Sequence, residues 1–217
     1  MLEIKRLSLL YPKAAKALFS DVNIKLRAGE LLILKGVNGS GKTSLLNSIA
    51  GVIPEHIHGE LAGSIALNGL ELRSYPLRER YRYLAYQMSD PDAQIFFPDS
   101  EKELSFALEN MGIKPLEIRQ RIDVAADRFH LKHIYAQDPS TLSQGQKKRL
   151  LFAVCAALDT QLILLDEPTV SLSEGGKELL KEWLKSLLHQ GKIIIAANHD
   201  SACDDFCTQV ITLGSLN

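Results

Sequence analysis

The sequence predicts an α/β fold in which a mostly parallel core sheet carries an antiparallel β edge and an inserted helical lobe. Three observations carry that prediction. The runs Leu31-Leu32-Ile33-Leu34, Leu162-Ile163-Leu164-Leu165 and Ile193-Ile194-Ile195-Ala196-Ala197 are short and apolar throughout, as strands covered on both faces must be. Helical stretches alternate with them, the pattern of a parallel sheet. From about Glu101 to Phe129 the spacing is helical instead, with Pro115 suited to a first turn and Ile118, Ile122, Ala125, Ala126 and Phe129 recurring on one side.

Composition narrows the classes of function. The 217 residues suffice for one substantial core, and 46% hydrophobic with 24% charged residues is the balance of a globular protein. A net charge of −1 argues against a dedicated nucleic-acid binder. The densest basic cluster, Lys147-Lys148-Arg149, reads as a solvated helix face. Cys155, Cys203 and Cys207 form no metal-site pattern and read as free thiols of a reducing compartment. The first residues, Met1 to Arg6, lack the pattern of a signal peptide. No apolar run approaches the roughly 20 residues of a membrane span, so any work at a membrane needs spans from other chains. The last strand-like segment, Val210 to Leu213, leaves little room for an appended regulatory domain before Asn217.

Taken in chain order, Val22 to Arg27 alternates with period two and Ala28-Gly29-Glu30 then turns, which predicts an antiparallel hairpin feeding the buried strand at Leu31. That strand delivers Gly36-Val37-Asn38-Gly39-Ser40-Gly41-Lys42-Thr43, which fits the phosphate-binding pattern G-x-x-x-x-G-K-[ST] and opens a helix. Backbone N–H groups of such a loop and the positive end of the next helix meet phosphates together. Lys42 is expected to reach the β- and γ-phosphates and Thr43 to hold Mg²⁺ through its hydroxyl. A plain structural turn would not require a lysine and a hydroxyl residue side by side after its last glycine.

Further along, Ser143 and Gln146 have capping-box spacing, so a helix should start at Ser143. Gly145 removes a side chain where a phosphate could approach that helix end. The strand at Leu162 ends in Asp166-Glu167, two carboxylates at the sheet edge where ligands bind. Asp166 is the candidate Mg²⁺ partner, and Glu167 the candidate general base for the attacking water. A last long helix, Glu174 to Gln190, is started by Ser173 and stopped at Gly191, with Trp183 on its apolar stripe.

With these motifs in this order, the chain resembles the ATPase subunits of ATP-binding cassette (ABC) transporters over nearly all of its length. Gly36 to Thr43 corresponds to their Walker A motif, Leu142 to Gln146 to their signature sequence with Gln144 in place of a glycine, and Leu162 to Glu167 to their Walker B motif. The resemblance implies a P-loop NTPase fold of the ABC type in one domain, 1–217. Its RecA-like core lies at about 1–88 and 160–217 and its helical lobe at about 89–159. It also implies a head-to-tail dimer holding two ATP molecules, each between one chain's Walker motifs and the other's signature helix.

The residue roles follow from the same resemblance. Tyr11 would stack on adenine, and Asn38, Gly39, Ser40, Gly41, Lys42, Thr43 and Ser44 would surround the phosphates. Thr43, Gln87 and Asp166 would hold Mg²⁺, while Glu167, Gln87, Lys42 and His199 would serve hydrolysis. Ser143, Gly145 and Gln146 would meet the partner's ATP. Removing one charge-stabilising donor from such a centre commonly costs ~10²–10³ in rate.

The segment Gln87 to Phe97, with Gln87 and Gln94 bracketing an acidic turn, looks like that of energy-coupling-factor ATPases, which drive uptake of vitamins and metal ions. It implies docking of a transmembrane subunit near Gln87–Phe97, with Asp90, Asp92 and Glu101 receiving its arginines. The chain would then lie on the cytoplasmic face of the cell membrane, with no nucleic-acid partner. The competing readings are an ATPase of another ABC class or a soluble ABC ATPase. A small-molecule kinase leaves the signature helix and the Asp166-Glu167 pair unexplained. The pattern departs from the family after Walker B, where Thr169-Val170-Ser171-Leu172-Ser173 lacks the usual aspartate. Ser173 can cap the next helix but brings no charge.

Overall fold

The computed structural model describes residues 1–135, 137–198 and 203–214. In chain order the strands are β1 (Leu2–Leu10), β2 (Phe19–Leu26), β3 (Leu31–Lys35), β4 (Glu60–Leu67), β5 (Leu70–Glu71), β6 (Leu84–Gln87), β7 (Leu162–Asp166), β8 (Ile193–Ala197) and β9 (Gln209–Thr212). The helices are α1 (Lys42–Ala50), α2 (Val52–Glu55), α3 (Leu77–Arg80), α4 (Ser100–Asn110), α5 (Pro115–Arg128), α6 (Gln144–Leu158) and α7 (Glu174–His189). Strands β6-β7-β8-β3-β9 form a five-stranded parallel sheet, and β2-β1-β4-β5 form a four-stranded antiparallel one.

The uniform apolarity of the central strands has its cause in packing on both sides. Leu31 and Ile33 of β3, Ile163 and Leu165 of β7, and Ile194 and Ala196 of β8 face a core built with α4 to α7. Their neighbours Leu32, Leu34, Leu162, Leu164, Ile193 and Ile195 face a second core, shared with α1 and the antiparallel sheet. No alternation survives where both faces are dry.

The antiparallel hairpin expected before β3 is made by β1 and β2. β2 pairs with β1, with Leu26 opposite Leu2, and the turn at Ala28-Gly29-Glu30 carries the chain from one sheet into the other. Glu30 closes that turn, its N–H on the Arg27 carbonyl at 3.2 Å and its carboxylate accepting the Arg27 N–H at 2.8 Å. Period two located the strand; it carried no information on which neighbour the strand pairs with.

The helical stretch after β6 resolves into α4 and α5. Asp99 caps α4 by accepting the Lys102 N–H at 2.5 Å, and Pro115 occupies the first turn of α5. Trp183 of α7 is buried with Phe129 and Phe152, its ring meeting that of Phe129 edge-on at 5.3 Å. This trio joins α5, α6 and α7 under the sheet. Cys155 and Cys203 are buried thiols and Cys207 is partly buried.

Candidate active site

Parallel pairing brings the carboxyl ends of the central strands to one edge. Leu34 lies beside Ala197, Asp166 beside Ala197, and Gln87 beside Leu165. The loop after β3 therefore opens next to the end of β7, although 123 residues separate Thr43 from Asp166. Gly36 has φ 145° and Gly41 φ 98°, backbone that favours glycine at both positions. A Cβ on Gly36 would stand 2.5 Å from Ser40 Oγ and 2.6 Å from the Leu213 carbonyl.

Lys42 opens α1 and folds its ammonium over the loop, donating to the carbonyls of Gly36 at 2.8 Å and Val37 at 3.2 Å. Tyr11 Oη donates to Ser44 Oγ at 3.0 Å, which seats that ring at the first turn of α1. Asn38, Gly39, Gly41, Lys42, Thr43, Ser44 and Glu167 line a cleft of about 270 Å³. Ser40 Oγ is buried behind the loop without a hydrogen-bond partner.

At the cleft's inner end, Thr43 Oγ1 donates to Asp166 Oδ2 at 2.8 Å. Asp166 Oδ1 and Gln87 Oε1 are both buried without a hydrogen-bond partner, while Gln87 Nε2 donates to the carbonyls of Met88 and, at 3.3 Å, Asp166. Buried oxygens left unpaired are costly. A hydroxyl, a carboxylate and an amide oxygen are the hard oxygen donors that suit Mg²⁺. Burial pushes the Asp166 carboxyl above the usual carboxylate range, against the lowering effect of the Thr43 hydrogen bond, and Glu167 adds to the rise.

Glu167 follows β7 with φ 48°, a left-handed backbone that is costly for a residue with a side chain, of order 1–2 kcal/mol. Its N–H donates to the Ala197 carbonyl at 2.9 Å. Its own carbonyl accepts the Val170 N–H at 3.3 Å and the Lys148 ammonium. Pro168 occupies the second position of that turn, where its fixed φ is favoured. His199 lies outside the described residues; the adjoining Asn198 holds Thr169 Oγ1 at 2.8 Å.

The signature helix starts as its spacing predicts. Ser143 Oγ accepts the Gln146 N–H at 3.3 Å, and the Gln146 side chain accepts the Ser143 N–H at 2.9 Å, which completes the capping box. Ser143, Gln144, Gly145 and Gln146 line a second cleft of about 270 Å³ with Arg149 and the loop Ser171 to Ser173. Gly145 has a structural reason of its own. A Cβ there would stand 2.8 Å from the Ser171 carbonyl. Ser173 caps α7 through the Gly176 N–H at 3.2 Å.

The basic cluster is not a solvated face. Lys147 is 8% exposed and Lys148 2%, because α6 turns them toward acceptors in the protein. Lys147 donates to Asp92 Oδ1 at 2.6 Å, Lys148 to the Glu167 carbonyl, and Arg149 to the Phe129 carbonyl at 3.0 Å. Burial pushes the Lys148 ammonium below its usual range, and the carboxylates of Glu167 and Asp166 oppose this. Residue type suggested solvent; the position inside the first turns of a packed helix decided otherwise.

The acidic turn after β6 is likewise committed within the chain. Asp92 accepts from Lys147 and from Gln144 Nε2, both at 2.6 Å. Asp90 Oδ1 accepts the Asp92 N–H at 3.0 Å, and Glu101 pairs with Arg119 at 2.8 Å. Gln94 clamps the strand exit, accepting the Met88 N–H at 2.8 Å and donating to the Tyr86 carbonyl at 2.7 Å. Asp92 and Glu101 nevertheless stay about half exposed, and beside them Phe96, 67% exposed, meets the rings of Phe97 and Phe106 at 4.5–5.7 Å between ring centres. A groove of about 400 Å³ runs between Phe96, Phe97, Asp92 and Lys147 on one side and Asp138 to Ser140 on the other. The roles of Lys148, Gln144 and Gln94 are not legible in the sequence, since each bonds across 6 to 52 residues.

Comparison with known proteins agrees with this geometry. The family model described as ABC transporter matches residues 19–170. The chain is 35% identical over 180 residues to the energy-coupling factor transporter ATP-binding protein EcfA1 of Thermotoga maritima, covering 83% of this chain and 66% of that one. The structure of cbiO1 from Clostridium perfringens, described as part of the ABC transporter complex cbiONQ, superposes with a TM-score of 0.79 at 27% identity, over 98% of this chain and 84% of that one. Dimeric MJ0796, a bacterial ABC transporter cassette, shares the fold with a TM-score of 0.86 at 22% identity, over 98% and 94%. Three curated relatives named putative ABC transporter ATP-binding proteins are much longer, and the chain spans 38–45% of them. A glycine loop with its lysine, a hydroxyl–carboxylate pair at the sheet edge and a capped helix start accompany a family match over most of the chain: this chain belongs to the ABC transporter family.

Proposed function

We propose that the chain is the ATP-hydrolysing motor subunit of a membrane importer of the energy-coupling-factor type, serving a vitamin or a metal ion. The observation that carries the hydrolytic part is the meeting of Thr43 Oγ1, Asp166 and Gln87 at the inner end of the cleft that Lys42 and Glu167 line. In this reading Tyr11 stacks on adenine, and the loop from Asn38 to Ser44 cradles the phosphates. Lys42 leaves its own loop carbonyls for the β- and γ-phosphates. Thr43, Asp166 and Gln87 would hold Mg²⁺, which neutralises charge on the phosphate oxygens. Glu167 orients the attacking water and takes its proton, and His199 steadies the transferring group.

Ser143, Gly145 and Gln146 serve a second nucleotide, held mainly by another cassette, in a head-to-tail dimer. Two features support that arrangement. The two clefts share no lining residue, and the similar cassette MJ0796 is described as dimeric. The importer class rests on similarity to EcfA1 and cbiO1. A transmembrane subunit would dock near Gln87–Phe97, where the Phe96 cluster is accessible, and would hold the cassette at the cytoplasmic face of the membrane. No helix among the described residues is long and apolar enough to cross a membrane itself.

The test is the solution mass of purified Glu167→Gln with and without Mg-ATP. That substitution keeps shape and removes the base, so ATP should be bound and retained. A doubling of mass supports a self-sufficient sandwich. A monomer that binds Mg-ATP without pairing requires a different second cassette, and loss of Mg-ATP binding overturns the assignment of the cleft.

A further inference from the structure

Two consecutive lysines of α6 reach different parts of the nucleotide machinery. Lys147 holds Asp92, five residues beyond Gln87, and Lys148 passes under the helix to the carbonyl of Glu167. Consecutive helical residues point about 100° apart, so one turn can bond both partners. Lys148 is nearly fully buried, and a buried ammonium is retained only with a strong acceptor. The acceptor it has chosen is the carbonyl of the one residue at the end of β7 that departs from ordinary backbone geometry, with φ 48°.

We propose that Lys148 is a positioning residue for hydrolysis: by holding the Glu167 carbonyl it fixes the left-handed turn from which the Glu167 carboxylate addresses the bound nucleotide. The inference rests on Glu167 being the general base. Direction along the backbone explains how it works. The carbonyl and side chain of one residue share the same Cα, so a carbonyl anchored on one side sets where the carboxylate points on the other. Among the described residues the turn is held by hydrogen bonds from Glu167 N–H to Ala197, from Val170 N–H to Glu167, and from Lys148 to Glu167. Of these, only the Lys148 bond comes from the signature helix. The same helix presents Ser143 and Gly145 to the second nucleotide, so a rigid α6 links the base of one site to the contacts made with the other.

The test compares Lys148→Met, Lys148→Arg and Glu167→Gln in the full chain under steady-state and single-turnover ATP hydrolysis, with thermal melting as a folding control. Lys148→Met keeps the volume and leaves the Glu167 carbonyl its bond from Val170. A misaimed base should lower kcat on the order of 10- to 100-fold with KM within about twofold, since displacements near 1 Å cost such factors. Lys148→Arg, which keeps the donor, should recover most of the rate. In a Glu167→Gln background, Lys148→Met should cost nothing further in the single-turnover rate.

A kcat of Lys148→Met within twofold of wild type overturns the proposal, as does a full additional loss in the Glu167→Gln background. If Lys148→Met fails to melt cooperatively, the comparison passes to Lys148→Arg and the donor-free Lys148→Leu. Equal rates in both, or a loss confined to KM, would then overturn it. Wild-type turnover in Glu167→Gln alone would instead remove the assignment of the base, and the two failures are thereby told apart.

Discussion

Lys147 Nζ lies 2.6 Å from Asp92 Oδ1 and joins the first turn of the signature helix to the segment that leaves Gln87. Gln144, which stands where the family's signature has a glycine, donates to the other oxygen of the same carboxylate at 2.6 Å. The substitution of Gln for Gly thus has a partner in this chain. Any displacement of the Asp92 turn is passed to α6 through two charge-assisted bonds, the stronger kind of hydrogen bond.

That link predicts a pH dependence. The hydrogen bond from Lys147 comes first, with that from Gln144, in holding the Asp92 carboxyl below the usual carboxylate range. An acid whose folded value is depressed contributes stability above its unfolded value, about 3.9, and loses it as pH falls through the folded value. Wild type should therefore exceed Asp92→Asn in melting temperature at pH 7, with the difference shrinking below about pH 4. Melts from pH 7 to pH 3 check this, and a gap that stays constant counts against the bond.

Asp166 predicts the opposite sign. Burial raises its carboxyl above the usual range, so without nucleotide its charge costs stability. That cost grows as pH rises from the unfolded value through the folded one. Asp166→Asn should raise the melting temperature of the nucleotide-free protein at pH 7. It should also weaken Mg-ATP binding by tenfold or more, about 1.4 kcal/mol. Titration with a fluorescent ATP analogue, with and without Mg²⁺, separates the two effects.

Gly145→Ala tests the packing of the signature helix on the loop after β7. The new Cβ would meet the Ser171 carbonyl at 2.8 Å, inside ordinary contact distance, so helix or loop must shift. ATP binding by the isolated chain should be nearly unchanged, because Gly145 does not line its Walker cleft. Steady-state hydrolysis should fall about tenfold, as a shift of a fraction of an ångström at a reacting site suffices for that.

Trp183→Ala should cost about 3–5 kcal/mol of unfolding free energy, the range for a large aromatic removed from a packed core. The indole is 1% exposed and meets Phe129 at 5.3 Å and Phe152 at 5.8 Å. Urea unfolding followed by circular dichroism measures it. A loss under about 1 kcal/mol would mean that the cavity collapses or fills.

The site was legible where chemistry is local in the chain. Gly36 to Thr43, Asp166-Glu167 and the Ser143–Gln146 box are read from spacing because a turn, a strand end and a helix cap are set by neighbouring residues. The structure seats Tyr11 on Ser44 and Gln87 beside Asp166, positions that residue identity alone did not carry. The basic run at Lys147 points to solvent from its sequence, but charge predicts exposure only on average, and the burial of α6 is not visible in that segment alone.

What the sequence determined by itself is the identity of the elements: buried strands from uninterrupted apolar runs, helices from spacing and caps, and a phosphate loop from glycines with lysine and threonine. What only the tertiary structure decided is which elements meet. β2 pairs with β1 rather than β3, Asp92 is held by Lys147 and Gln144, and Lys148 holds the Glu167 carbonyl. The physical reason is range. Turns, caps and periodicity are short-range effects of the backbone, whereas strand partners and buried ion contacts are selected by the whole core, through desolvation that no single segment experiences alone.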